Sequence, residues 1–164
     1  VLAIEISYPG TIFYRHQRVG KNGQLFTLAK FRSLVRGASG REAGNHHEEK
    51  STAIGRFLRK THIDELPQVW NILLGQMSFI GPRPEKPEFV KNLSEEIPFY
   101  EMRHLIKPGI AGWAQLHNPN AGPSFKETLE KLQYDLYYVK NRSVFLDLSI
   151  VLKTLHILIS GAGK

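Results

Sequence analysis

The alternation of apolar and polar residues predicts a β-hairpin in the first part of the chain. In residues 11–19 and 24–32, β-branched and aromatic side chains are interleaved with polar ones, as in half-buried strands. The segment Gly20-Lys21-Asn22-Gly23 lies between them. An Asn-Gly pair tolerates positive φ at both central positions of a type I′ turn, so the two strands are expected to pair as a hairpin.

From residue 53 the spacing of apolar residues becomes helical. Apolar side chains recur at steps of three and four residues, at Ile54, Phe57, Leu58, Ile63, Leu66, Val69, Trp70, Leu73 and Leu74. This pattern predicts a helix from residue 53 and a second helix over residues 63–74. Pro67 fits the first turn of the second helix, and Gly75 is placed to end it.

Further along, start and stop signals divide the chain into shorter elements. Residues 98–106 are predicted to form a short helix that stops at Pro108-Gly109, and residues 110–116 alternate like a strand. Ser124-x-x-Glu127 is a capping-box pattern, so a helix is expected from there to about Lys140.

The last predicted helix, residues 144–159, is apolar on most of its circumference. It is too short and too polar to cross a bilayer, so it either packs in the core or lies along a membrane interface. Residues 36–51 have almost no apolar side chains and are predicted to form a mobile loop. The whole pattern predicts an α+β fold, in which a small β-hairpin or mixed sheet is surrounded by helices, some of them amphipathic and membrane-interfacial.

Length and composition narrow the classes of protein. The 164 residues suit one domain, and the absence of cysteine excludes disulfides, thiol nucleophiles and Cys-based metal sites. A net charge of +7 favours an anionic partner, which could be a nucleic acid, a lipid surface or a phosphorylated small molecule. The apolar start, Val1 to Ile4, is interpreted either as the end of a hydrophobic segment or as an arbitrary boundary.

The acid pair Asp64-Glu65, at the start of the predicted helix 63–74, is the main candidate for catalysis. Adjacent helical residues point about 100° apart, so the two carboxylates can do different jobs at one helix end. One can attack phosphorus, while the other binds Mg²⁺ as a hard oxygen ligand. The structural alternative is that Thr61-x-x-Asp64 is only a capping box with acids favoured by the helix dipole.

Basic residues near predicted rigid turns strengthen the catalytic interpretation. Lys30 ends a predicted strand, Arg59 precedes the acid pair, and Arg83 is held between two prolines. An enzyme that handles a diphosphate needs several cations to offset the charge of the transition state. Each is singly more often a surface cation, and the sequence does not show that they converge.

Other candidates are weaker. Trp113 and Gln115, on the predicted strand 110–116, either contact a base or serve as core and edge residues. His62 and His104 are possible acid–base groups, but the sequence identifies no partner for either.

Five segments of the chain occur in an order that is characteristic of one protein family. They are residues 30–33 (KFRS), 55–68 (GRFLRKTHIDELPQ), 75–84 (GQMSFIGPRP), 107–115 (KPGIAGWAQ) and 135–139 (DLYYV). Together they resemble the bacterial sugar transferase family, the monotopic polyprenyl-phosphate phosphoglycosyl transferases. The resemblance extends from about Ser7 to Thr154.

This resemblance implies a small mixed α/β unit on the cytoplasmic face of the bacterial inner membrane. An N-terminal hydrophobic helix that enters and leaves the same leaflet would precede Val1, and amphipathic helices would add to the membrane contact. The implied reaction transfers a sugar phosphate from a UDP-sugar to polyprenyl phosphate and releases UMP in two ping-pong steps.

The resemblance also implies roles for individual residues. Asp64 corresponds to the family's nucleophile and Glu65 to its Mg²⁺ ligand, while Lys30, Arg59 and Arg83 correspond to its phosphate-binding residues. Ala111 stands where the family usually has Thr, and His117-Asn118-Pro119-Asn120 replaces a commoner Val-Asn-Gly-Arg stretch, which leaves sugar and base recognition open.

Two competing interpretations remain at this point. One is a non-catalytic basic module that binds anionic lipid or nucleic acid; the charge favours it, but the sequence has no recognised nucleic-acid motif. The other is a relative that keeps the fold without the activity. The sequence leaves the oligomeric state open, a homo-oligomer included.

Overall fold

A computed structural model of the chain describes residues 12–33, 53–119 and 124–160. The predicted mobile loop at 36–51 and the apolar start from Val1 to Ile4 lie outside the described residues, so both predictions stand as they are.

The described residues form four strands, six α-helices and three short 3₁₀ turns, which confirms the α+β prediction. The strands are β1 (Phe13–Val19), β2 (Leu25–Phe31), β3 (Ser78–Ile80) and β4 (Gly109–Ala111). The helices are α1 (Ala53–Lys60), α2 (Gln68–Leu73), α3 (Pro87–Glu96), α4 (Trp113–His117), α5 (Phe125–Asn141) and α6 (Val144–Ser160). The 3₁₀ turns are Lys21–Gly23, Ile63–Glu65 and Tyr100–Leu105.

The predicted hairpin is confirmed. Strands β1 and β2 pair antiparallel from Phe13↔Phe31 to Val19↔Leu25. The amide of Gln24 donates to the Lys21 carbonyl at 3.2 Å. The two residues between them, Asn22 and Gly23, have φ values of 55° and 75°. Positive φ at both central positions is the signature of a type I′ turn.

The second sheet is a parallel pair in which two backbones approach closely. Strands β3 and β4 pair in parallel, with Ser78↔Gly109 and Ile80↔Ala111 in register. A Cβ atom added to Gly109 would lie 2.1 Å from the Gly81 nitrogen. Only a residue without a side chain fits there, and this contact fixes where the chain leaves β3.

Two small apolar clusters hold these elements together. Phe26, Leu28 and Met77 form one of them, with Ile72 and Ile110 packed against it, so the hairpin is joined to the β3–β4 sheet. The second cluster contains Ile97, Tyr100 and Leu132, and it packs the end of α3 and the third 3₁₀ turn against α5.

The prediction of one continuous helix over residues 63–74 was wrong. The structure has the 3₁₀ turn Ile63–Glu65 and then the short helix α2. Pro67 lies at the N-cap of α2. Proline is tolerated at the start of a helix, but it lacks the N–H group that would continue a helix from the preceding turn. Gly75, at φ 75°, ends this region as predicted.

The strand predicted over residues 110–116 was also wrong. Strand β4 stops at Ala111, and Trp113–His117 forms the helix α4. The seven alternating residues therefore include the last two residues of β4 and the first four residues of α4. The predicted helix at 98–106 is a 3₁₀ turn, Tyr100–Leu105, and α3 was not predicted from the sequence.

The two C-terminal helices agree with the prediction. The Ser124 hydroxyl oxygen accepts a hydrogen bond from the Glu127 amide at 3.4 Å, as in a capping box, and α5 then runs to Asn141. Helix α6 buries Ile150 completely, while residues such as Phe145 are 86 % exposed. None of the helices in the described part of the chain is long and apolar enough to span a membrane.

We predict that Gly109→Ala separates β3 from β4. Its Cβ atom would meet backbone atoms of Gly81 and Ile80, at 2.1 and 2.5 Å, and these cannot move aside without breaking the pairing. We expect a loss of about 3 kcal/mol in the free energy of unfolding, measured by denaturant titration. The control is Gly23→Ala, which meets no atom within 4 Å and has only its φ of +75° to accommodate, for about 1 kcal/mol. Equal losses in the two variants would contradict the role assigned to the close contact.

Candidate active site

The acid pair lies on the 3₁₀ turn that follows α1. Helix α1 ends at Lys60, and His62 takes a left-handed conformation with φ 55°, which reverses the chain before Ile63–Glu65. With three residues per 3₁₀ turn, the side chains of Asp64 and Glu65 point in different directions from one small segment.

The capping-box alternative for Thr61 and Asp64 was wrong. The Thr61 hydroxyl donates to the carbonyls of Phe57 at 2.8 Å and Leu58 at 3.2 Å, so it satisfies the C-terminal end of α1. The N-cap residue of the following 3₁₀ turn is His62, and it makes no side-chain capping bond. The acids are therefore not explained as capping residues.

Glu65 is buried and holds two cations. Glu65 is 7 % exposed to solvent. Its Oε1 atom accepts from Lys30 Nζ at 2.6 Å and from Arg83 Nη2 at 2.7 Å. Three residues that are far apart in the sequence thus meet at one oxygen atom, as the catalytic interpretation required of Lys30 and Arg83.

The fold brings each cation to this point by a different route. Lys30 lies near the end of β2, which packs against the turn that carries the acids. Arg83 follows β3 in the segment Gly81-Pro82-Arg83-Pro84. The Lys30 and Arg83 side chains remain 20 % and 38 % exposed, so both cations are accessible to a ligand from solvent.

The two cations keep Glu65 ionised. Burial alone would raise the pKa of this carboxyl, but the charges and hydrogen bonds of Arg83 and Lys30 outweigh it and lower the pKa from 4.5 to about 2. A different balance of effects acts on the pKa of Asp64. This residue is 8 % exposed, and burial, with the nearby charge of Glu65, raises its pKa although Lys30 acts against this. The two carboxylates are therefore electrostatically distinct.

Arg59 is the one predicted site residue that the structure does not bring to the acid pair. It is exposed near the end of α1, and among the described residues no contact links its side chain to Asp64 or Glu65. Its predicted contact with phosphate stays a prediction.

The weaker candidates have structural contacts. Trp113 stacks on Tyr137 with ring centroids 5.9 Å apart, and Gln115 donates to the Ile110 carbonyl at 3.0 Å. His104 is 9 % exposed. Burial and the charge of Arg103 lower the pKa of His104 to about 4, so it is neutral at physiological pH.

A buried ion pair lies behind Arg83 and was not predicted from the sequence. Arg103 and Asp135 are each 2 % exposed, and Arg103 Nη2 lies 2.7 Å from Asp135 Oδ2. A signal for it existed in α5, because Leu132, Asp135 and Tyr138 are spaced by three residues and all are buried. A carboxylate on the apolar side of a helix requires a buried partner.

The site offers a limited set of metal ligands. Within residues 12–33, 53–119 and 124–160, no group of three or more His, Cys, Asp or Glu side chains could hold a metal ion. Mg²⁺ in enzymes of phosphate chemistry often has one or two carboxylates and completes its shell with phosphate oxygens and water. The ionised Glu65 fits such a one-carboxylate site.

Comparison with known proteins identifies the family of the chain. A model of the family described as bacterial sugar transferase matches residues 1–161 of the chain. The chain belongs to the bacterial sugar transferase family. The resemblance stated from the sequence is thereby confirmed.

Relatives of the chain in this family carry functional names. The chain is 41 % identical over 162 residues to UDP-N-acetylgalactosamine-undecaprenyl-phosphate N-acetylgalactosaminephosphotransferase of Aeromonas hydrophila, with 98 % of this chain and 38 % of the relative aligned. It is 36 % identical over 157 residues to UDP-glucose:undecaprenyl-phosphate glucose-1-phosphate transferase of Xanthomonas campestris pv. campestris, with 93 % of this chain and 32 % of the relative aligned.

A shorter relative is aligned over most of its length. The uncharacterized sugar transferase EpsL of Bacillus subtilis is 37 % identical over 163 residues, which are 99 % of this chain and 76 % of the relative. The chain spans about a third of the length of the first two bacterial sugar transferases.

We predict that Glu65 makes the stability of the protein pH-dependent in one window. Its pKa is lowered from 4.5 to about 2 on folding, so its contribution is complete above about pH 4.5 and is lost as the pH falls towards 2. The shift corresponds to at most about 3 kcal/mol. In thermal unfolding at a series of pH values, the stability difference between wild type and Glu65→Gln should shrink across this window. A difference that stays constant across this window would contradict the assignment.

Proposed function

We propose that this chain is the catalytic part of a membrane-associated phosphoglycosyl transferase. It would transfer a sugar 1-phosphate from a UDP-sugar to undecaprenyl phosphate and release UMP, as a first step of polysaccharide or glycoconjugate assembly. The observation that carries the proposal is the Lys30–Glu65–Arg83 contact, which places two accessible cations beside the second buried carboxylate, Asp64. The names of the relatives support the two substrates.

The acid pair favours this function over a module that only binds anions. Burying a carboxylate opposes folding unless a partner compensates. A basic surface for lipid or nucleic acid gains nothing from two buried acids among its cations. A two-step phosphoryl transfer uses one carboxylate as the nucleophile and can use the other as a metal ligand.

The first step of the proposed reaction forms an ester between Asp64 and the sugar phosphate. A carboxylate oxygen of Asp64 would attack the phosphorus next to the sugar, and the bond to the bridging oxygen of the diphosphate would break. UMP leaves with that oxygen and its electron pair. In the second step, an oxygen of polyprenyl phosphate would attack the same phosphorus, which releases the Asp64 carboxylate and yields a polyprenyl diphosphate sugar.

The surroundings of Asp64 suit such an intermediate. An acyl phosphate is hydrolysed wherever water reaches it, and Asp64 has only 8 % of its surface exposed. Limited access favours transfer to the lipid phosphate over loss to water. Lys30 and Arg83, which are partly exposed, would bind the diphosphate, Lys30 as a point charge and Arg83 through its planar fork. Arg59 would add a further cation.

Mg²⁺ is the proposed cofactor, and Glu65 is its proposed protein ligand. The metal would neutralise charge on the diphosphate during transfer. Glu65 is suited to this because its carboxylate is ionised at any pH above about 2 and lies beside Asp64 in sequence and in space.

The surface next to the acid pair supports contact with a membrane. On the segment that follows Glu65, large apolar side chains are exposed, among them Leu66 (57 %), Trp70 (65 %) and Leu73 (71 %). An apolar patch of this kind marks an interaction surface. In the proposed arrangement, a bilayer would cover this patch and bring the lipid substrate to the site. The protein would then lie on the cytoplasmic face of the inner membrane, where nucleotide sugars occur.

We predict that Asp64→Asn abolishes transfer without unfolding the protein. The amide is isosteric but is no nucleophile, so UMP release should fall by on the order of a thousandfold or more. The assay uses the full-length protein in membranes, polyprenyl phosphate and a panel of UDP-sugars, with UMP as the product measured. The exposed variant Glu95→Gln is the charge-matched control and should keep full activity. UMP release by Asp64→Asn at the wild-type rate would refute the nucleophile, and no release by the wild type with any UDP-sugar would refute the function.

We also predict that Glu65→Gln weakens the dependence on Mg²⁺. A neutral amide is a poorer ligand for a hard divalent cation than a carboxylate, so the Mg²⁺ concentration for half-maximal activity should rise by about tenfold or more. The measurement is a Mg²⁺ titration of UMP release, again with Glu95→Gln as control. An unchanged titration midpoint would show that Glu65 does not bind the metal.

A further inference from the structure

The segment that presents Arg83 is held along its whole length. The four consecutive carbonyls of Pro82 to Glu85 each accept a hydrogen bond from a different donor. The donors are Gly109 N at 3.0 Å, Arg103 Nη2 at 2.9 Å, Arg18 Nη1 at 3.1 Å and Val19 N at 3.0 Å, in that order. They come from β4, the third 3₁₀ turn and β1, so three elements fix this one segment.

Arg103 is the donor that acts on Arg83 itself. Its guanidinium is buried, and Nε and Nη2 donate to Asp135 Oδ2 at 3.0 and 2.7 Å. Nη1 donates to the Tyr100 hydroxyl at 3.2 Å. Nη2 also reaches the Arg83 carbonyl, so the plane of the guanidinium is fixed by Asp135 and Tyr100 while it holds the backbone of Arg83.

The net stability that the Arg103–Asp135 pair adds to the fold is a poor explanation for its presence. Removing two charges from water offsets most of the attraction between them, and an apolar pair of similar volume often stabilises a fold equally well. An apolar pair has no donor for the Arg83 carbonyl, however. That carbonyl lies between two prolines, Pro82 and Pro84, which have no N–H groups and restrict the backbone on both sides.

We propose that Arg103 and Asp135 are positioning residues that aim the Arg83 side chain at Glu65 and at the phosphate of the substrate. They act only through the Arg83 backbone and touch no reacting atom. The proposal rests on the proposed function for its kinetic test, and the aim of Arg83 can also be measured without any reaction.

The kinetic test is a double-mutant cycle in the full-length protein. Asp135→Asn removes the carboxylate that fixes Arg103, and we expect kcat/KM for the UDP-sugar to fall by about ten- to hundredfold, as for other residues that orient a ligand-binding group. In an Arg83→Ala background, Asp135→Asn should cause no further loss, because its effect has no other route. An equal loss in both backgrounds would overturn the proposal.

Two further variants separate positioning from general destabilisation. Tyr138→Phe removes a partly buried hydrogen bond of 2.7 Å to Asp147 from the same helix α5, without a link to Arg83, and should leave kcat/KM unchanged. Tyr100→Phe is a milder change than Asp135→Asn, for use if the latter does not fold. It removes one hydrogen bond of Arg103 and should lower kcat/KM by a few-fold in the wild-type background only. A loss from Tyr100→Phe that persists in the Arg83→Ala background would overturn the proposal.

The measurement without reaction is the ¹⁵N relaxation of the Arg83 Nε–H group in arginine-labelled full-length protein. We expect this group to be rigid in wild type and in Tyr138→Phe, and mobile in Asp135→Asn or Tyr100→Phe. Rigid Arg83 in these last two variants would overturn the positioning role. A wild-type protein that releases no UMP would refute the proposed function alone, since the relaxation result still decides how Arg83 is held.

Discussion

A single buried carboxylate oxygen, Glu65 Oε1, joins three parts of the chain that are otherwise separate. Lys30 comes from the hairpin, Arg83 from the turn after β3, and Glu65 from the 3₁₀ turn between α1 and α2. A buried carboxylate is unfavourable unless cations compensate it, so the hairpin and the β3 turn must both be in place before this segment is stable. In the proposed reaction the same two cations would bind the diphosphate, so folding and the proposed substrate binding would depend on one set of residues.

Many large apolar side chains of the described residues lie on the surface. The two buried clusters are small, while α2 and α6 leave large apolar residues such as Trp70, Leu73 and Phe145 more than half exposed. In water such surfaces favour association with another apolar surface. Helical periodicity in this part of the sequence therefore did not correspond to an internal core, and the proposed contact with a bilayer would bury these side chains.

The sequence predicted those elements whose signals are local. The Asn22-Gly23 turn and the capping box at Ser124 depend on neighbouring residues, and both were confirmed. The errors came where tertiary contacts override local pattern. Residues 110–116 alternate as a strand does, but β4 ends at Ala111 because it pairs with only three residues of β3. The apolar steps across residues 63–74 predicted one helix, whereas the 3₁₀ turn Ile63–Glu65 is bonded to β2 and the Arg83 segment through Glu65.

By itself the sequence determined the kinds of groups at the site and the family to which the chain belongs. It showed an acid pair, several cations and a proline-flanked arginine, because residue type and order are properties of the chain alone. Only the tertiary structure decided which cations meet the acids. It brought Lys30 and Arg83 to Glu65, left Arg59 on an exposed surface, and placed Arg103 and Asp135 behind Arg83. Such contacts join residues up to 35 positions apart, and their geometry depends on how strands and turns pack, which no local pattern encodes.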